Sequence, residues 1–290
     1  MNKIILLFTL CSLVLAGCKG VKPPEMAPRQ VVIYLSAKAL SDIELKSTAS
    51  QDEDKISKII LFGVDDKLKV VETFQAIPNP SLAGEPLTIT KQEVKSLYVI
   101  ANPSASLEGA NPSTVSELMN LTGDFSTAPA PPFLMGGKGD IIGDKANIEL
   151  VRAVAKIVFT GKDGFEIEKV TVQKTPNKGF VFTQTTFSVP TSSGKAEYKD
   201  IASATFYVAE STGKDPVEFK VTGTFEGKSA TYTITLSNNK QPIDIVRNTH
   251  YLMNIKPITE DICDVTINIL EWNGVIVVDE VVIPDDAFNK

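Results

Sequence analysis

The sequence predicts a mainly β chain: two β-sandwich domains in tandem, with one short helix in the first. Three observations predict it. Short runs of β-branched and aromatic residues recur along the chain, many alternating apolar and polar at period two. Gly, Pro, Asn and Asp clusters separate these runs at the spacing of sandwich strands. Only one segment carries a good helix start, and 290 residues suit two ordinary domains or one large β domain.

The chain opens on Met1-Asn2-Lys3 and an apolar run over 4–15, then Leu15-Ala16-Gly17-Cys18. A basic start and a short apolar segment make a secretory signal, too short to span a bilayer. Small residues before a Cys at its end form a lipobox. The expectation is a signal peptide over 1–17 and acylation (palmitate-type) of Cys18, with an ordinary signal that happens to contain Cys as the alternative. Several acyl chains anchor stably, since each buried CH₂ adds ~0.8 kcal/mol. Lys19 rather than Asp follows Cys18, which points to the outer membrane. With Cys11 removed and Cys18 acylated, Cys263 is the one remaining thiol, so no disulfide framework is expected.

Residues 18–29 carry three prolines within 19–28 and read as a stiff tether. The first domain is expected over 30–149. In 30–37, Val31, Ile33, Leu35 and Ala37 share one face of a strand. Residues 38–55 are polar, include Asp52-Glu53-Asp54, and read as a long exposed loop open to proteolysis. A hairpin over 56–64 and 67–74 turns at Asp65-Asp66. A strand covers 92–101, and a helix starts near Pro112, with Thr114 and Glu117 at capping-box spacing. Gly136-Gly137-Lys138-Gly139-Asp140 reads as a Gly-rich surface turn.

The second domain is expected over 150–290. Strands are predicted at 150–160, 165–173, 179–187 and 204–209. A hairpin is predicted over 217–225 and 230–236, around Glu226-Gly227-Lys228. Strands at 251–255, 264–272 and 275–283 close the chain.

No constellation for catalysis emerges, and no enzyme is expected. His250 is the single histidine and has no nucleophile in a recognisable frame. No His/Cys/Glu group has metal-ligand spacing, so no metal or cofactor is expected. The Gly136 run lacks a phosphate loop's Gly-Lys-Ser/Thr ending. Asp52-Glu53-Asp54 lacks the spaced ligands of a Ca²⁺ loop and reads as solvated. Trp272 is a core residue or a sugar-stacking one, and Cys263 a small inert side chain. A formal charge of −6 argues against nucleic acid as a partner.

Three stretches resemble the fimbrillin family, the lipoprotein-derived subunits of type V pili. They are Leu150-Val151-Arg152-Ala153-Val154-Ala155-Lys156-Ile157; Val246-Arg247-Asn248-Thr249-His250-Tyr251 leading to Ile269-Leu270-Glu271-Trp272; and, more loosely, 97–102, a strand running into Ala101-Asn102. The resemblance implies tandem sandwiches of transthyretin-like, Greek-key type and a role in surface fimbriae and cell adhesion. It also implies assembly in which a trypsin-like surface protease removes the first strand and another subunit's strand replaces it. The strand removed would be 30–37, with Val31, Ile33 and Leu35 as its apolar row. The candidate donor is 275–283, with Val275, Val277, Val281 and Ile283 on one face, interrupted by Asp279; the alternative is a plain last sheet strand.

This chain departs from the arginine-specific cutting pattern that the resemblance implies. Its three arginines are Arg29, Arg152 and Arg247, and none lies in 38–55. Candidate cuts are Lys46, Lys38 and Arg29, with Arg29 leaving the strand in place. The expected partners are fimbrial subunits of the same or a related kind, the outer membrane through Cys18, the protease, and host or bacterial surface ligands. Two further roles stay open: an anchor subunit that keeps its lipid, and a stand-alone surface adhesin binding glycan or protein.

Overall fold

A computed structural model describes residues 27–37, 52–201, 205–238, 241–259, 261–272 and 277–283. The chain is mainly β, arranged in several sheets. The first half runs β1 (Arg29–Ala37), β2 (Lys58–Val64), β3 (Val70–Thr73), β4 (Ile77–Pro78), β5 (Glu85–Ile89), β6 (Ser96–Ala101), α1 (Ala105–Glu108), α2 (Val115–Met119), β7 (Thr122–Asp124), β8 (Met135–Ile142) and β9 (Lys145–Arg152). An eight-stranded sheet has the order β3-β2-β6-β8-β9-β1-β5, with β4 on β2. One apolar core gathers side chains from β1, β5 and β9 with those from β2 and β6.

The β8–β9 hairpin joins these two sets of strands. Gly136-Gly137-Lys138-Gly139-Asp140, expected as a turn, lies inside β8. The turn follows the end of β8, at Gly143 (φ 64°) and Asp144. A Cβ on Gly137 would stand 2.3 Å from the Glu149 carbonyl oxygen, and one on Gly139 2.3 Å from that of Asn147. The glycines permit a close approach of two backbones, which a strand interior otherwise disfavours.

Among the described residues two one-turn helices are present where one was expected. The predicted one, α2, is capped: Thr114 Oγ1 accepts from the Glu117 N–H, and Glu117 accepts from the Ser113 N–H at 2.7 Å. The unpredicted α1 is four residues long, too short to show helical periodicity.

The second half runs β10 (Val154–Gly161), β11 (Glu166–Pro176), β12 (Lys178–Phe180), β13 (Lys195–Ile201), β14 (Thr205–Ala209), β15 (Glu218–Phe225), β16 (Lys228–Thr235), β17 (Ser237–Asn238), β18 (Gln241–Pro242), β19 (Thr249–Pro257), β20 (Cys263–Glu271) and β21 (Val277–Ile283). A β14-β10-β19-β20-β21 sheet packs on a β13-β11-β15-β16 sheet, as in a β-sandwich. Ile157, Phe159, Met253 and Ile267 of the first sheet meet Val172, Phe219, Val221 and Ile234 of the second. The β15–β16 hairpin turns at Glu226 and Gly227, both at positive φ.

The strand expected over 150–160 is two strands, broken at Ala153. β9 stays in the first half's sheet through Arg152, so Leu150 packs in the first core. Of the strand expected over 179–187, two residues are strand, at the end of β12. β12 pairs with β7 of the first half, and Val181 and Phe182 then pack against Tyr98, Leu107 and Leu118. Arg247 holds this crossing segment. It donates to the Phe180 and Val181 carbonyls at 2.7 and 2.9 Å and pairs with Glu210 at 2.6 Å.

Candidate functional site

β1 is an interior strand. It pairs antiparallel with β5 (Val31 opposite Leu87) and parallel with β9 (Leu35 opposite Ile148). Val31, Ile33 and Leu35 are 0, 0 and 5 % exposed, and their row enters the first core as the alternation predicts. Arg29, a candidate cut expected ahead of the strand, is its first residue. It pairs with Ile89, and its guanidinium donates to the Val94 carbonyl. Cutting there requires the strand end to leave the sheet. Lys38, Lys46 and Cys18 lie outside the described residues, as does Val275. Val277, Val281 and Ile283 lie on β21, opposite Ile269, Ile267 and Val265 of β20 at the sheet edge.

The Asp52-Glu53-Asp54 run, expected as a solvated loop, is an anchor. Glu53 is 2 % exposed. Its carboxylate accepts from Lys156 Nζ (2.9 and 3.2 Å), Tyr207 Oη (2.6 Å) and Trp272 Nε1 (2.9 Å). Its backbone carbonyl accepts from Arg152 Nε at 3.2 Å, and Asp54 pairs with the same guanidinium. Arg152, fully buried, also donates to Asn248 Oδ1 at 2.8 Å and lies 4.8 Å from the Trp272 ring centre. Trp272 stacks on Tyr207 and is 1 % exposed, which places it in the core and excludes sugar stacking. A buried charge needs a partner and filled hydrogen bonds; two carboxylates and two cations meet that demand here.

Burial alone would raise the Glu53 pKa. Hydrogen bonds from Tyr207, Lys156 and Trp272, with the Lys156 charge, outweigh it and hold the carboxyl below its usual value. Burial lowers Arg152 to about 10, against the pull of Glu53. Burial, then the Lys156 charge, depresses His250 to about 4, with Glu53 opposing. Its neutral form therefore belongs to the fold. On acidification the unfolded chain takes this proton first, near pH 6.5, so stability is lost as pH falls from there toward 4. Allowing for partial solvent contact, unfolding free energies from denaturant titrations at pH 7 and pH 5 are expected to differ by about 1–2 kcal/mol from this group. His250→Gln should remove that share; an unchanged pH slope would contradict it.

Sequence reasoning missed Glu53, Arg152 and Tyr207 as one unit. The readable signal was Arg152 and Lys156 inside an apolar run, two cations that need buried anions. The three motif stretches converge here: Arg152 and Lys156, then Asn248 and Trp272, and Asn102, whose amide donates to the Lys55 carbonyl at 2.9 Å.

No family model matches the sequence, and neither does any curated protein. Solved structures do match. A Bacteroides eggerthii protein provisionally assigned to cell adhesion has TM-score 0.59 and 17 % identity over 84 % of this chain and 96 % of its own. A fimbrial assembly protein from Parabacteroides distasonis has TM-score 0.59 and 15 % identity over 83 % and 96 %. The C-terminally truncated tip fimbrial protein Mfa3 of Porphyromonas gingivalis has TM-score 0.58 and 15 % identity over 84 % and 100 %. The chain shares the fold of these fimbrial and adhesion proteins, in accord with the fimbrillin resemblance.

Proposed function

We propose that the chain is a structural subunit of a surface fimbria, exported with a lipid on Cys18 and assembled by replacement of β1. The observation that carries this is the position of β1: an interior strand with a fully apolar buried row, followed directly by 38–51 with Lys38 and Lys46. A trypsin-like protease accepting lysine would cut there. The strand's departure would leave β5 and β9 with unpaired backbone and the core open along one groove. A strand from another subunit would then bind by main-chain pairing, with side-chain pockets setting register. In this reading the two halves are tandem Greek-key domains, and head-to-tail donation, which does not close on itself, yields a filament.

The donor would be 275–283. β21 is already paired with β20, so donation requires it to leave that edge. Deleting 275–290 is expected to abolish incorporation into filaments while export continues; normal filaments from this truncation would end the donor assignment.

A second reading, a lipid-retaining anchor, is favoured by the absence of arginine from 38–51. Mass spectrometry of the protein from cell-surface filaments separates the two. An N-terminus within 39–51 is expected for the polymerising subunit. Acylated Cys18 joined to an intact β1 would overturn strand removal and leave the anchor.

A further inference from the structure

The segment just after 38–51 carries its own lysine, and it is closely held by its surroundings. Lys55 has a side chain 58 % exposed, which any lysine-specific protease could recognise. Every residue around its scissile bond is tied down. Glu53 is held by Lys156, Tyr207 and Trp272, and Asp54 by Arg152. The Lys55 carbonyl accepts from Asn102 Nδ2 at 2.9 Å, and the Ser57 N–H donates to Asn102 Oδ1 at 2.9 Å. Ile56, next after the scissile bond, is 8 % exposed in the first core. Asn102 is itself fixed by donating to the Phe133 carbonyl at 2.7 Å.

We infer that Glu53 and Asn102 are positioning residues that set the downstream limit of proteolysis, closing the Lys55–Ile56 bond to a lysine-specific protease. A cut there would reach into the core and free the chain from the junction. A cut upstream of Asp52 leaves the shortened chain's new end moored to the second half. Cleavage requires the segment to open locally, and its rate follows the population of the open form. The biological sense of the inference rests on the strand-removal reading, but the protection of Lys55 does not.

The test is limited digestion of the full exported chain with a lysine-specific endoprotease, each cut identified by intact mass. Three proteins are compared: wild type, Glu53→Gln, and Asn102→Gly, whose glycine suits the positive φ of 52° at that position. In wild type, cutting after Lys55 is expected to be slow. In both variants it should rise at least tenfold, with Lys220 and Lys256 cut at wild-type rates. Wild-type cutting at Lys55 as fast as in Glu53→Gln would overturn the inference. If Glu53→Gln accelerates all lysines together, it has loosened globally and Asn102→Gly decides: unchanged Lys55 cutting there also overturns it. Cutting at Lys38 or Lys46 in the same digests bears on strand removal alone.

Discussion

A chain lacking residues 1–37 is expected to lose most of its first half's stability and to regain it when a peptide with the sequence of residues 29–37 is added. Three buried side chains leave with the strand, at ~1.5–3 kcal/mol each, so the loss is roughly 5–9 kcal/mol. A whole domain is stable by ~5–15 kcal/mol. The backbones of β5 and β9 lose their pairing as well, and unpaired groups in a closed interior add to the penalty. Thermal melting followed by tyrosine fluorescence or near-UV dichroism would register both the loss and the rescue. The same peptide carrying Ile33→Asp should fail to rescue, because Ile33 is fully buried. A shortened chain that melts like the full one would mean that no groove depends on β1.

A peptide of 275–283 makes a sharper comparison. Its row Val275, Val277, Val281, Ile283 contains Asp279 in the middle, whereas Val31, Ile33 and Leu35 are uninterrupted. Seating it fully in this chain's own groove would bury a carboxylate without a partner. Weaker rescue than by 29–37 is expected, with the donor segment then suited to a differently lined groove on another subunit.

Arg152→Ala is expected to lower unfolding free energy by about 3–5 kcal/mol, the range for breaking a buried ion pair on one side. The guanidinium is fully buried and serves Asn248, the Glu53 carbonyl and Asp54 at once. Its removal leaves Asn248 and the Glu53 carbonyl without this donor, leaves half-exposed Asp54 to water, and leaves the cluster one cation short. Denaturant titration of Arg152→Ala and Arg152→Lys would measure it. Lysine keeps the charge but not the fork that reaches three acceptors, so it should recover only part. A loss below about 1 kcal/mol would mean that water reaches the cluster.

The sequence shows some elements because their physics is local. Alternation along 217–236 with a turn at Glu226-Gly227 is a hairpin whatever surrounds it, and Val31, Ile33 and Leu35 announce a half-buried strand. Other features depend on distant partners. Asp52-Glu53-Asp54 is as polar as any solvated loop until Lys156, Tyr207 and Trp272, more than a hundred residues away, enclose Glu53. Gly136 to Gly139 looks like a turn because close strand approach and tight turning both select glycine. Val181 and Phe182 look like a continuing strand, since an apolar run does not say which core it enters. The buried row of β1 was thus legible, and the anchor beside it was not.

The crossing segment has a mechanical consequence. Among the described residues the two halves meet at the β7–β12 ladder with Val181 and Phe182 and at the Glu53 cluster with Trp272, and Val154 and Ala209 of the second half pack into the first core with Phe125 and Trp272. A single point of contact would leave an axis about which the halves could swing; a junction this broad opposes such a swing. In the fibre proposed above, a subunit joined in this way would pass tension and torque along its length, and the fibre's bending would be left to the joints between neighbouring subunits.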